Sequence, residues 1–234
     1  MAISISATST VFDRELAVAG AVQLAVLGVV SAAVGLSPLG WVAGLVFALV
    51  TGLLLVRHDA AGRALAAGAA NQVTLARATL VGGVTALVAA GASGPQLVVL
   101  VAIGAVALAL DGLDGYLARR NNTVSVLGAR FDMEVDAFLI LVLSVLVCRA
   151  LGPWVLAIGL MRYAFVAAMF VWPRLRAQLP FSRARKVVAA MQGGLLVAAA
   201  APIWPYAVAV TLAAVALVAL AWSFGRDVRW LLAH

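Results

Sequence analysis

Apolar residues gather into long blocks along this chain, and glycine, proline and charged residues fill the short gaps between them. Eight blocks stand out, at about residues 16–35, 41–56, 74–91, 97–118, 132–150, 154–172, 187–201 and 205–223. A helix needs roughly 20 predominantly apolar residues to cross a bilayer, so the blocks predict eight transmembrane helices. The gaps carry the expected breakers: Ser37-Pro38, Gly91 to Pro95, Gly152-Pro153, Pro180 and Pro202 to Pro205. The pattern predicts an all-α, polytopic membrane helical bundle. A two-helix N-terminal hairpin and a connector at 57–72 precede six further spans, giving expected domains of 1–70 and 71–234.

Composition sharpens this reading. Of 234 residues, 65% are hydrophobic and 11% charged, with a mean hydropathy of +1.13. Soluble domains show roughly 45–50% apolar and about 25% charged residues, so a water-facing globule is excluded. Residues 1–15 lack the basic start and small-residue cleavage site of a secretory signal and are expected to form a retained cytoplasmic arm. The single cysteine, Cys148, allows no intrachain disulfide. His58 and His234 have no ligand spacing to another histidine or cysteine.

Charge then orients the bundle. Thirteen Arg and Lys residues, among them Arg57, Arg119, Arg120, Arg130, Arg185 and Lys186, fall in one set of connections, and only Arg149 falls in the opposite set. The positive-inside rule puts both termini and the basic loops in the cytoplasm, and the expected location is the cell (plasma) membrane. The net charge of +7 is thereby concentrated on one face. That face suits membrane lipid headgroups and phosphorylated substrates, and no nucleic-acid partner is expected.

Four of the nine acidic residues lie close together, as Asp111, Asp114, Asp132 and Asp136. Steps of three and four residues return to nearly the same helix face, so each pair shares a face near the cytoplasmic end of a span. The basic loop between the pairs makes the two helices adjacent and antiparallel. Four carboxylates in a partly desolvated site repel one another unless they are protonated, paired with arginine or bound to a cation. Oxygen-only ligands favour a hard divalent ion such as magnesium or manganese. Two ions would neutralise four carboxylates and clamp a diphosphate. The bland alternative is a set of interfacial aspartates satisfied by Arg119, Arg120 and Arg130.

The segment DGLDGYLARRNNTVSVLGARFDMEVD, from Asp111 to Asp136, resembles the signature of the CDP-alcohol phosphotransferase family. That signature is Asp, two residues, Asp-Gly, two residues, Ala-Arg, eight residues, Gly, three residues, Asp, three residues, Asp. Asp111, Asp114, Gly115, Ala118, Arg119, Gly128, Asp132 and Asp136 fill every fixed position. Ser125 also fits, and Asn71-Gln72-Val73-Thr74-Leu75-Ala76-Arg77 looks like the opening of the family's first core helix. The resemblance implies a six-helix core, so the first hairpin is an addition. A Lys-x-x-Thr-x-x-Gln pattern of phosphatidylglycerophosphate synthase-like members is met by Lys186 and Gln192, with Ala189 in place of the threonine.

The same resemblance implies roles. Asp111, Asp114, Asp132 and Asp136 would bind magnesium or manganese, as two ions, and Asp136 would also be the general base on the acceptor hydroxyl. Asn71, Thr74, Gly115, Ala118, Arg119, Ser125 and Gly128 would meet the nucleotide. The donor would be a CDP-linked lipid or alcohol, most commonly CDP-diacylglycerol. The acceptor would be a small polar or phosphorylated alcohol, with CMP released, and the protein a homodimer. Arg130, Arg162, Arg185 and Lys186 are candidate acceptor contacts. Arg162 could equally be a counter-ion for the aspartates, and positive-inside anchoring is the stronger reading of Arg185 and Lys186. The rival class is a cation or proton transporter, which predicts acids near the bilayer midplane and two related halves with broken helices.

Overall fold

A computed structural model describes residues 3–60, 69–121, 126–177 and 179–233, and the side chains of 16–54, 73, 75–112, 131–177 and 179–233. The described residues contain eight α-helices, two short 3-10 turns and no strand. The helices are α1 (Ile3–Val34), α2 (Pro38–Ala60), α3 (Ala69–Ala89), α4 (Pro95–Asn121), α5 (Val126–Leu151), α6 (Leu156–Val171), α7 (Arg183–Ala200) and α8 (Tyr206–Ala233). They follow the eight apolar blocks in order, so the helical membrane bundle expected from the sequence is the fold observed.

Four of them are long and apolar enough to cross a membrane within the described residues: Leu16–Val34, Pro95–Gly112, Pro153–Val171 and Tyr206–Ala233. Within the described side chains of α2 and α3, the apolar stretches are Pro38–Leu54 and Leu75–Ala89. Large apolar side chains such as Val29, Leu49, Val98, Phe170 and Val218 are exposed, which suits helices whose outward faces meet lipid rather than water.

The helices outrun the apolar blocks at their polar ends. The expected N-terminal arm is helical from Ile3, because extending an existing helix is far easier than nucleating one. Helices α4 and α5 likewise continue past the acidic pairs, leaving only residues 122–125 between them.

The chain separates into two compact units, Met1–Val135 and Asp136–His234. In the first, α3 is the hub, packing against α1, α2 and α4. Its contacts with the hairpin depend on glycine. A Cβ on Gly40 would stand 2.8 Å from the Ala86 carbonyl oxygen, and one on Gly82 would stand 2.7 Å from Gln23 Nε2. Small residues let membrane helices approach closely, where packing rather than the hydrophobic effect drives association. Gly35, at φ 77°, ends α1 in the left-handed conformation that favours glycine. Gln96 Nε2 then donates to the Val34 and Gly35 carbonyls at 3.2 and 3.0 Å, fastening α4 to that end of α1.

The second unit holds the rest of α5 with α6, α7 and α8. Gly159 of α6 lies against α5, where a Cβ would come within 2.6 Å of Leu141 Cα. Helices α7 and α8 pack together, and buried Gln192 donates to the Ala216 carbonyl at 3.2 Å across that contact. Ser182 caps α7 by accepting from Arg185 N–H at 3.3 Å.

Candidate functional site

Arg77 is the most conspicuous residue of α3. Its side chain is 1% exposed although it carries a permanent charge. A cation held that deep in apolar surroundings must be paired. Arg77 Nη1 contacts Asp111 Oδ1 on α4 at 2.8 Å and also bonds Asp132 Oδ1 on α5. One guanidinium therefore ties the end of α4 to the start of α5. The two carboxylates keep side-chain exposures of 38% and 30%, so their far sides face open space.

Asp136 follows Asp132 by one turn of the unbroken helix α5, so helix geometry fixes its place beside that residue. Asp111, Asp132 and Asp136 each offer a carboxylate oxygen, and these oxygens lie within 4.8 Å of one another. All three residues are half-buried. With Arg77 included, three negative charges and one positive leave a formal charge of −2, which a single divalent cation would balance. The donor set is all carboxylate oxygen, without histidine or cysteine, and so fits a hard divalent ion.

In the sequence an uncharged run from Pro95 to Leu110 leads into Asp111, Asp114, Arg119 and Arg120. The acids thus follow the uncharged part of α4 and adjoin basic residues, unlike the midplane position that a transport reading predicts.

The geometry brings together three of the four aspartates picked out by their spacing. The side chains of Asp114, Asn71, Thr74, Gly115, Ala118, Arg119, Ser125, Gly128 and Arg130 lie outside the described residues. Arg162 is half-buried near the middle of α6. Arg185 Nη1 contacts Asp227 Oδ2 at 3.2 Å, and its Nη2 donates to the Pro180 carbonyl at 2.7 Å. Lys186 Nζ sits over the Phe181 ring, 4.8 Å from its centre. Both are engaged by other residues of the chain near the start of α7. Gln192 has a structural task in the bond to Ala216.

Arg77 itself was not among the expected site residues. It stood in the sequence as the last residue of the helix opening and as a cation just inside an apolar block. That second feature was the usable signal, since an arginine within a span requires a carboxylate partner.

No curated protein and no solved structure matches the chain. A profile described as CDP-alcohol phosphatidyltransferase matches residues 67–224, more than half of the sequence, and this segment contains Arg77 and all four aspartates. The family is one of membrane transferases, associated with phosphatidyl transfer from a CDP-alcohol and generally dependent on divalent metal. From this match, together with a helical membrane fold whose acidic residues converge where the signature puts them, it follows that the chain belongs to the CDP-alcohol phosphatidyltransferase family.

Proposed function

We propose that this protein transfers a phosphatidyl group from CDP-diacylglycerol to an alcohol, releasing CMP, in phospholipid synthesis at the cytoplasmic face of the membrane. The observation that carries this reading is the convergence of Asp111, Asp132 and Asp136 beside Arg77, within the segment that matches the family. Magnesium or manganese ions held by these residues and Asp114 would offset the charge of the donor diphosphate and of the departing CMP.

The chain's own groups do the rest. Asp136 accepts the proton of the acceptor hydroxyl. The hydroxyl oxygen forms a bond to the lipid-side phosphorus as the bond from that phosphorus to the CMP oxygen breaks. The transfer is a single displacement with no covalent enzyme intermediate. Arg77 fixes Asp111 and Asp132 relative to each other, so that two helices present carboxylates to one place. Gly115 and Ala118 allow the nucleotide to approach α4, and Arg119 meets its phosphates. Arg130 and Arg162 are the candidates for a phosphate carried by the acceptor. Residues 71–234 act as the catalytic core, with the 1–70 hairpin as an addition to it, and the active form is a homodimer.

The test is turnover. Purified protein in lipid nanodiscs, given CDP-diacylglycerol, magnesium and a panel of glycerol phosphate, inositol phosphate, inositol and glycerol, should release CMP with at least one acceptor and form the matching phospholipid. Binding of cytidine nucleotide without CMP release for any acceptor would leave the fold as a non-catalytic scaffold and defeat the proposal.

A further inference from the structure

The hairpin outside the family-matched segment builds a pocket against α3. Helices α1, α2 and α3 enclose a half-open cavity of about 350 Å³, within the range of roughly 300–1,000 Å³ typical of small-molecule sites. One face of α1 and of α3 and a wider arc of α2 line it, through Leu16, Gly20 and Gln23 of α1, Ala48 and Gly52 of α2, and Leu75 of α3 among others. The walls are almost wholly apolar. Of the pocket's buried polar residues, Thr79 donates its hydroxyl to the Ala76 carbonyl, whereas Gln23 is 2% exposed and its Nε2 is buried with no hydrogen-bond partner. An unsatisfied amide donor in apolar surroundings is unfavourable; Nε2 lies against Gly82 without surface open to the cavity, so an acceptor meets it once the carboxamide turns out from α3.

Helix geometry separates this pocket from the acidic site. At 3.6 residues per turn, Arg77 points about 160–200° away from Leu75, and Gly82, against which the Gln23 carboxamide lies, shares the Leu75 side. Arg77 marks the level at which polar groups gather at the end of the span. Gly82 is five residues further along α3 from Arg77, about 7 Å deeper at 1.5 Å per residue. A glycerolipid carries its ester carbonyls a few ångströms deeper than its headgroup phosphate, with hydrocarbon beyond.

We infer that this pocket holds one acyl chain of a membrane glycerophospholipid, whose ester carbonyl accepts a hydrogen bond from Gln23 Nε2. The bound lipid is a resident of the hairpin and not the reacting donor, since it occupies the opposite face of α3. The glycines at 20 and 52 leave the space it fills, while Gly82 makes room for the Gln23 carboxamide. The inference is independent of the transferase reading, because it concerns binding and not turnover.

Native mass spectrometry of the full chain in detergent tests it. After delipidation the protein is offered palmitoyl-oleoyl phosphatidylglycerol, the dialkyl ether analogue that lacks ester carbonyls, or oleic acid. The wild type should retain one ester lipid, about threefold to tenfold more than the ether analogue, the range set by one net hydrogen bond. Gln23→Leu should retain ester and ether lipids equally. Ala48→Trp, which fills the cavity, should retain neither. Equal ester and ether retention by the wild type would overturn the inference, as would preferred retention of oleic acid or of detergent alone. Should Ala48→Trp fail to fold, the comparison of Gln23→Leu with wild type decides the matter alone.

Discussion

Helix α3 has two sides, and they treat polar groups in opposite ways. On one side Arg77 is buried and paired with two carboxylates from α4 and α5. On the other, Gln23 of the hairpin reaches α3 beside an apolar cavity with its amide nitrogen unsatisfied. The first side is strongly charged, with acids that exceed their guanidinium partner. The second is nearly charge-free and short of a single acceptor. In low-dielectric surroundings both imbalances ask for something the chain does not itself supply. The kind of imbalance names the class of ligand: a cation for the first and a lipid oxygen for the second.

The largest effect should come from the chemistry on the acidic side. Asp136→Asn keeps the shape of the side chain but removes its ability to take a proton. CMP release from CDP-diacylglycerol should fall by about 10²–10⁴-fold, while nucleotide binding in the presence of magnesium survives. Normal turnover in this variant would remove Asp136 from the role of base.

Next in size is the loss of Arg77. Arg77→Met leaves Asp111 and Asp132 facing each other without their shared cation. Breaking a buried pair costs about 3–5 kcal/mol, and the partial exposure of both carboxylates should lower this to about 2–3 kcal/mol. Unfolding in detergent without divalent ions reads the loss directly, and added magnesium should recover part of it. An unchanged unfolding midpoint would mean that the pair does not hold α4 to α5.

The cavity side predicts a change of opposite sign. In delipidated protein, Gln23→Leu removes an unsatisfied donor and should raise stability by about 1 kcal/mol. With phosphatidylglycerol present that advantage should shrink or vanish, because only the wild type gains the hydrogen bond. The same unfolding measurement made with and without lipid checks both signs.

The smallest effect concerns Gly82→Ala. Its new Cβ would press on the Gln23 carboxamide, which can yield into the cavity. Helix propensity favours alanine by about 1 kcal/mol, so stability should stay within about 1 kcal/mol of wild type. Retention of ester lipid should nonetheless fall, since the displaced carboxamide occupies its place. Undiminished retention would argue that Gln23 does not face the bound chain.

Much of this contrast could be read along the chain, for reasons that differ between its two sides. Apolar blocks of near-membrane length announce helices because a bilayer leaves the backbone few other choices. Asp132 and Asp136 were legible as a pair because a spacing of four residues survives folding as a shared helix face, and Asp111 meets them from α4. Arg77 was harder to see. Its meaning depends on which carboxylates α3 meets, and that is a matter of tertiary packing with no local signature. The cavity was not legible at all, since it arises from how three helices diverge, and Gln23 reads in isolation as one polar residue in a span. The anchoring of Arg185 by Asp227 likewise joins residues 42 positions apart.

The central claim is that carboxylates from α4 and α5 hold a divalent ion for transfer from a CDP-lipid. The most direct measurement is CMP release from CDP-diacylglycerol by chelator-stripped protein as magnesium is restored. The wild type should be silent without metal and recover with increasing magnesium, while Asp132→Asn should stay silent or nearly so throughout. Release that proceeds in excess chelator, or that Asp132→Asn supports as well as wild type, would contradict the account.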